Sequence, residues 1–453
     1  MKEETKKKLS DSKGARWAAL VVVSFTMMCG YFITDVMAPL EDLLMRTYGW
    51  SSTEYGLFTG AYGWFNVFLL MLILGGIILD KMGVRFTGAM ACFLMVGGAL
   101  VKAYAVSSLF PVGGTIFGIN SQVIVAGLGF AIFGVGVEIT GVTVSKIIVK
   151  WFSGHELALA MGLQVALARV GTAFALSFSL PLAKHFQTVA APVLLGALML
   201  CIGTIAFLVY HVMDRKLDAS IERPATAETE EGFQLSDIKM IITNKGFWLI
   251  AILCVLFYSG VFPFLKFATK LMIYKYNVPE DLAGVIPSFL PFGTILLTPL
   301  FGTLYDRIGK GATLMMIGSF MLIVVHILFA MPILNEWWFA TIVMIILGVA
   351  FSLVPSAMWP SVAKIIPQKQ LGTAFSLIFY VQNWGLMGVP MLIGWVIDRF
   401  ATQQLADGTT AYNYSIPMSI FAVFGLVSVL ISALLKAEDR KKGYGLELPN
   451  MKR

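Results

Sequence analysis

Two ionisable residues stand in the middle of long apolar runs: Glu138 in GVGVEITG and Arg169 in ALARVGT. If those runs cross a bilayer, a central charge costs ~2.5–3.5 kcal/mol on insertion scales, so each needs a reason to be there. An arginine can grip a carboxylate through two parallel N–H bonds. A glutamate can accept hydrogen bonds from an ammonium. Glu138 lies 18 residues before Glu156 and Arg169 lies 13 after it. On two antiparallel helices joined near Glu156, these separations are roughly 27 and 20 Å from the turn, so both groups are deep and within about one turn in height. Read from the residues alone, they form either a structural ion pair or two walls of a cavity that opens to a ligand carrying both charges.

Further polar groups share these runs. Lys266 and Lys270, in VFPFLKFATK, are four apart and share a helix face. Pro263 kinks the helix just below them. Either lysine can supply a second cation for a carboxylate, or snorkel to the interface. Asp35, in YFITDVMAP, stands near the end of the first run, in a loop or at a cavity mouth facing an ammonium. Tyr62 and Trp359 are packing, belt or cavity residues, while the amides Asn66, Gln382 and Asn383 suit a cavity or helix–helix hydrogen bonds. Cys29, Cys92, Cys201 and Cys254 all lie in apolar stretches and read as small buried hydrophobes. No His, Asp, Glu or Cys cluster has metal-ligand spacing, and no nucleotide loop or Ser/His/Asp arrangement stands out. The chain is therefore expected to need no cofactor or metal and to be no enzyme.

The elements that must position these groups are membrane helices. The 453 residues are 58% hydrophobic and 13% charged, against roughly 25% charged in a soluble domain. Runs long enough to span a bilayer number twelve: about 17–38, 54–79, 86–107, 122–145, 157–183, 190–212, 247–272, 283–304, 312–333, 338–361, 372–397 and 415–436. This predicts an all-α membrane protein of twelve helices. The basic start MKEETKKKLSDSKGAR is too long and polar for a cleaved leader, so the first run reads as a retained helix. One long polar insert, 214–245, divides the chain into six-helix halves at 1–213 and 246–453, and QLSDIKMII within it reads as a short interfacial helix. Of the 33 Lys and Arg residues, 25 fall on the face that carries both termini. That is the positive-inside pattern with cytoplasmic termini, and it accounts for the net charge of +7 without nucleic acid. The compact chain points to a bacterial cytoplasmic (inner) membrane.

GGIILDKMGVR at 75–85 and FGTLYDRIGKG at 301–311 repeat one pattern 226 residues apart, half the chain length. In each, a glycine (Gly76, Gly302) precedes an aspartate (Asp80, Asp306) by four residues, and a second glycine (Gly83, Gly309) follows it by three. Arg85 and Arg307 add cations. The first glycine admits a neighbouring helix, the aspartate can face a helix N-terminus or a cation, and the second glycine permits a tight turn. Each copy reads as a latch that closes in one state and releases in another. KWFSGHELALAMGL (150–163) and KIIPQKQLGTAFSL (364–377) echo one another in the same way. Duplicated halves with a site between them near the midplane are a transporter architecture.

The repeated G-x-x-x-D-[KR]-x-G pattern resembles the loop signature of the major facilitator superfamily, across all twelve runs. Residues 133–172, 260–270 and 357–385 look like its lysosomal dipeptide transporter branch. That resemblance implies alternating access for dipeptides, by facilitated diffusion in the animal members, with Glu138 and Arg169 matching the glutamate and arginine that hold the peptide. Many superfamily members carry an arginine in span four; Phe130 stands near that position here, which weakens any carry-over of that arginine's role in proton coupling. Asp35 and Glu138 could still carry a proton, and uniport is equally open. The expected partners are thus a dipeptide, the lipid bilayer and a proton as optional coupling ion, with a monomer as the working unit. A monocarboxylate or dicarboxylate carrier of the oxalate/formate type is the alternative, disfavoured by Glu138, which repels an anion. A receptor, channel or enzyme fits twelve duplicated spans without large soluble domains poorly.

Overall fold

In lipid the backbone has no water to bond with, so each apolar run must close its own hydrogen bonds as helix. The computed structural model, which describes residues 9–152, 155–220, 235–367, 370–406 and 410–449, has this arrangement. The basic residues 1–8, the centre of the connector (221–234), Lys369 and residues 450–453 lie outside the described residues.

Among the described residues, eleven helices are long and apolar enough to cross a membrane. Met71–Ala105 contains the non-helical Gly83 (φ 76°, ψ 172°), so it joins the end of span two to span three, and the spans number twelve. Span one is Lys13–Asp35, followed after a bend by Glu41–Tyr48. Span two is assembled from Ser52–Gly60, Trp64–Phe68 and 71–82, and span three is 84–105. Spans four, five and six are Ser121–Phe152, Leu157–His185 and Ala190–Ser220. Span seven is Lys245–Ser259 with Phe262–Tyr276. Spans eight to twelve are Val285–Ile308, Gly311–Ala330, Trp337–Ile365, Leu371–Val396 and Ser415–Lys442. The short helix Leu235–Thr243 occupies the place expected for QLSDIKMII.

Two expectations need adjusting. Span six continues as helix through Ser220, past its expected end near 212. Span two is not one unbroken run over 54–79: it breaks at Leu69–Leu70, with Leu70 left-handed at φ 55°. The break falls just after Asn66, whose Nδ2 donates to Asn383 Oδ1 on span eleven at 3.3 Å. On both sides of the break the chain packs against span four and span eleven.

The first six spans meet the last six on the face opposite the termini. Spans two and eleven touch there, as do spans five and eight, and the contact is made by backbone. A Cβ on Gly56 would lie 2.4 Å from Pro390 O, one on Gly394 2.1 Å from Ser52 O, and one on Gly284 1.9 Å from Leu176 O. Charges reinforce this seam. Lys270 Nζ lies 3.2 Å from Glu41, Tyr274 donates to Asp42 at 2.6 Å, Lys184 meets Asp281 at 2.8 Å, and Arg46 pairs with Glu280. Asp398 accepts from the backbone N–H groups of Ser52 and Thr53 at 3.0 and 2.6 Å. On the terminus-bearing face, the pairs Arg16–Glu156, Lys146–Asp80, Lys150–Asp214 and Lys245–Glu438 each stay within one group of six. The molecule is therefore closed opposite its termini and open toward them.

After span twelve the chain folds back on the second copy of the repeated motif. Lys310 and Gly311 donate their backbone N–H groups to Glu447 O and Leu446 O at 3.1 and 2.8 Å. Glu447 accepts from Thr313 N at 2.9 Å and from the Thr313 hydroxyl at 2.7 Å, with Lys436 at 3.4 Å. Partial burial alone would raise the Glu447 pKa, but the Thr313 bonds and Lys436 outweigh it and hold the group below its ordinary value. A depressed folded-state pKa gives stability that is present above the ordinary glutamate range and lost as pH falls through the lowered value. Glu447→Gln is expected to lower thermal stability at neutral pH by the ~0.2–1 kcal/mol of a partly exposed ion pair. The gap to the parent should close in acid; melting curves across pH check this, and a gap that widens in acid contradicts it.

Candidate substrate site

Between the two groups lies a cavity of about 280 Å³, near the lower end of the ~300–1,000 Å³ typical of small-molecule sites. Its lining includes Glu138, Arg169, Asp35, Lys266, Tyr62 and Gln382. Six of the ten residues expected to contact a substrate thus share one space. Ser145 and Gln164, which also line it, lie on spans four and five nearer the terminus-bearing face, where the cavity opens.

Glu138 comes from span four. The small residues around it in GVGVEITG bring that helix against span three: a Cβ on Gly136 would meet Ala91 O at 2.6 Å. The carboxylate Oε1 accepts from the Tyr62 hydroxyl at 2.6 Å. Arg169, from span five, is surrounded by rings. Its guanidinium carbon lies 5.4 Å from the Tyr31 centroid and 5.1 Å from those of Phe262 and Phe351. Among the described residues neither Glu138 nor Arg169 has an oppositely charged group within 4.0 Å. The two are not a self-neutralising pair; they are opposite charges facing one cavity.

Lys266 and Asp35 occupy the closed end. The Lys266 ammonium donates to Asp35 Oδ1 at 2.6 Å and to Thr34 O at 2.7 Å, and Thr172 donates to Asp35 Oδ2 at 2.8 Å. Span one belongs to the first group and span seven to the second, so this pair bridges them where the cavity stops. Span seven breaks at Gly260–Val261, and Pro263 sits in the first turn of the continuing helix, where a missing N–H costs nothing.

Four expected residues lie outside the lining. Lys270 is 2% exposed and bound to Glu41 and Ser52 in the closed layer. Asn66 and Asn383 are fully buried and bonded to each other between spans two and eleven, and the Asn383 side chain also reaches the Glu138 carboxylate from behind the lining. Trp359 donates to the Tyr258 hydroxyl at 3.1 Å and packs at a tilt on Phe379, which does line the cavity.

The repeated motif sits on the terminus-bearing face. Gly83 and Gly309 both have positive φ (76° and 68°), as a tight turn after each aspartate requires. Asp80 meets Lys146 of span four at 2.9 Å, and Arg85 meets Asp218 of span six at 2.9 Å. In the second copy Arg307 is exposed and Asp306 partly buried. Nothing lies within 4 Å of a Cβ built on Gly76 or Gly302, so in this conformation neither glycine is met by a neighbouring helix.

Two features escaped sequence reasoning. Lys102, in GGALVKAYAV, is 1% exposed; its ammonium donates to Ile33 O at 2.7 Å and sits 4.5 Å over the Phe130 ring. A cation from span three thus covers the position where span four lacks an arginine, and a lone lysine inside a run assigned to the bilayer was the available signal. The rings of Phe262 and Phe351 carried no signal, because phenylalanine is common throughout the spans.

Comparison with known proteins agrees with this architecture. A family profile described as Major Facilitator Superfamily matches residues 20–390 and 272–446. The lysosomal dipeptide transporter MFSD1 of Mus musculus is 30% identical over 394 residues, 84% of this chain and 80% of that protein. Its Homo sapiens counterpart is 28% identical over 395 residues, with the same coverage. Among solved structures, a bacterial homologue of the human lysosomal transporter Spinster, in an inward-facing and unoccupied conformation, superposes with a TM-score of 0.71. At 14% identity it covers 95% of this chain and 98% of that one.

Proposed function

The chain belongs to the Major Facilitator Superfamily and is a multi-pass membrane transporter rather than an enzyme, and from that premise we propose that it carries dipeptides by alternating access. One observation carries the reading: a lone carboxylate and a lone guanidinium, Glu138 and Arg169, face the same cavity without neutralising each other. A zwitterion answers both. Its ammonium binds Glu138 beside Tyr62, and its carboxylate binds Arg169. A monocarboxylate would satisfy Arg169 and be repelled by Glu138. The name borne by the relatives at 28–30% identity supports the same substrate class.

The moving bodies are 1–213 and 246–453, joined by 214–245. Lys266 with Asp35 guards the end of the cavity away from the termini, and the two motif copies guard the other. Binding of a zwitterion screens the charges that line the site and lowers the cost of rocking the halves past it. One chain carries the whole cavity, so a monomer suffices. The basic, terminus-bearing face lies in the cytoplasm, and the short loops suit a bacterial inner membrane.

The test is uptake into proteoliposomes of a dipeptide panel, with and without a pH gradient. Free dipeptides are expected to saturate, while N-acetylated and C-amidated forms each lose most transport. Stimulation by the gradient assigns a proton to Asp35 or Glu138; indifference assigns uniport. Equal transport of capped and free peptides, or displacement of the dipeptide by oxalate or lactate, refutes the reading.

A further inference from the structure

Arg169 is held by rings from both groups of helices. Tyr31 comes from its own group, on span one. Phe262 and Phe351 come from the other, on spans seven and ten, and each centroid lies 5.1 Å from the guanidinium carbon. These two rings are fixed in turn. Phe262 follows directly on the break at Gly260–Val261. It meets Phe351 edge-on at 5.2 Å and 77°, and Tyr258 touches both at 5.3 and 5.7 Å. The Tyr258 hydroxyl is anchored by the Trp359 indole at 3.1 Å.

An arginine side chain has many rotamers, and ordering it to meet a carboxylate edge-on is expensive. Rings that close around a guanidinium favour its charge electrostatically and restrict its rotamers. We infer that Phe262 and Phe351 are positioning residues for substrate recognition: they hold the Arg169 fork toward the cavity, and they do so only while the second group of helices is docked on the first. The grip on an anionic group is therefore strongest in the terminus-open conformation and weakens when the halves rock apart at this level. A ligand shifts a conformational equilibrium only by its differential affinity for the two states, and this box supplies such a difference.

The inference rests on the dipeptide reading for its substrate but not for its geometry, and the experiment separates the two. Phe262→Leu and Phe351→Leu keep apolar bulk and remove the ring. For a free dipeptide, KM is expected to rise about tenfold in either variant, with Vmax little changed. The advantage of free over C-amidated dipeptide should shrink by a similar factor, and Phe262→Tyr should restore it. A residue that only packs would lower folded yield or Vmax and act equally on both substrates. Independently of any substrate, phenylglyoxal modification of Arg169, followed by mass spectrometry of the digested protein, should quicken several-fold in folded leucine variants. If the wild type carries no dipeptide, the functional reading fails and the modification rates still decide the inference. Unchanged rates, or KM rising equally for free and amidated peptides, overturn it.

Discussion

Uptake of a free dipeptide into proteoliposomes is expected to fall by at least ~100-fold when Arg169 is replaced by alanine, and comparably when Glu138 becomes glutamine. Hydrogen bonds to charged groups contribute ~1.5–3 kcal/mol each, a bidentate grip has two of them, and ~1.36 kcal/mol is a factor of ten. Both variants should fold. Neither side chain serves as the counter-ion of another described residue, so neither deletion strands a buried charge. Glu138→Gln even keeps an oxygen for the Tyr62 hydroxyl, which now reaches it at 2.6 Å. Arg169→Lys retains the charge but not the fork, and should fall between alanine and wild type. Initial rates of labelled dipeptide uptake, on protein whose melting temperature matches the parent, decide the matter. Wild-type rates in a well-folded Arg169→Ala or Glu138→Gln protein would remove the zwitterion from the account.

Asp35→Asn should act on the other axis, conformation rather than affinity. Here a charge is stranded: the Lys266 ammonium, on a side chain 12% exposed, loses its counter-ion and keeps only neutral acceptors, Thr34 O and the amide oxygen of the new residue. Breaking one side of a buried pair costs about 3–5 kcal/mol, reduced here because both side chains line the cavity. Because the pair joins spans one and seven only while the closed face is closed, the cost falls on that conformation alone. A loss of even ~2.7 kcal/mol moves the balance about 100-fold toward the opposite state. Ser52→Cys, fully buried in the closed layer of the parent, reports it. An impermeant maleimide applied to the face opposite the termini should label that cysteine at least ~10-fold faster with Asp35→Asn. Exchanging the charges, with Asp35→Lys and Lys266→Asp together, should restore slow labelling. Identical labelling in parent and variant would show that the pair does not hold the face shut.

Much of this was legible beforehand. Apolar run length located the spans because the bilayer permits little else, and depth arithmetic put Glu138 and Arg169 within about one turn of each other because a helix rises at a constant rate. What periodicity cannot supply is the state of the two halves. Lys266 and Lys270 share a helix face, yet four residues carry the second about 6 Å along the axis, out of the cavity and into the closed layer against Glu41. Asn66 and Asn383 are 317 residues apart, and nothing local announces that each is the other's partner. The break at Leu69–Leu70 had no local signal either, since neither residue is a helix breaker. The aromatic box on Arg169 is assembled from three spans and reads in sequence as ordinary membrane phenylalanine.

The closed face is held by two forces of very different reach. Attraction between its ion pairs extends over several ångströms. Contact between Gly56, Gly284 and Gly394 and the carbonyls opposite them is dispersion, which is largely lost within the first ångström of separation. Such a face behaves like a snap fastener: charges draw the halves together from a distance, and the backbone contact is then complete or gone. A half-open pose keeps almost none of the second force, so parting of this face is expected to be all-or-none.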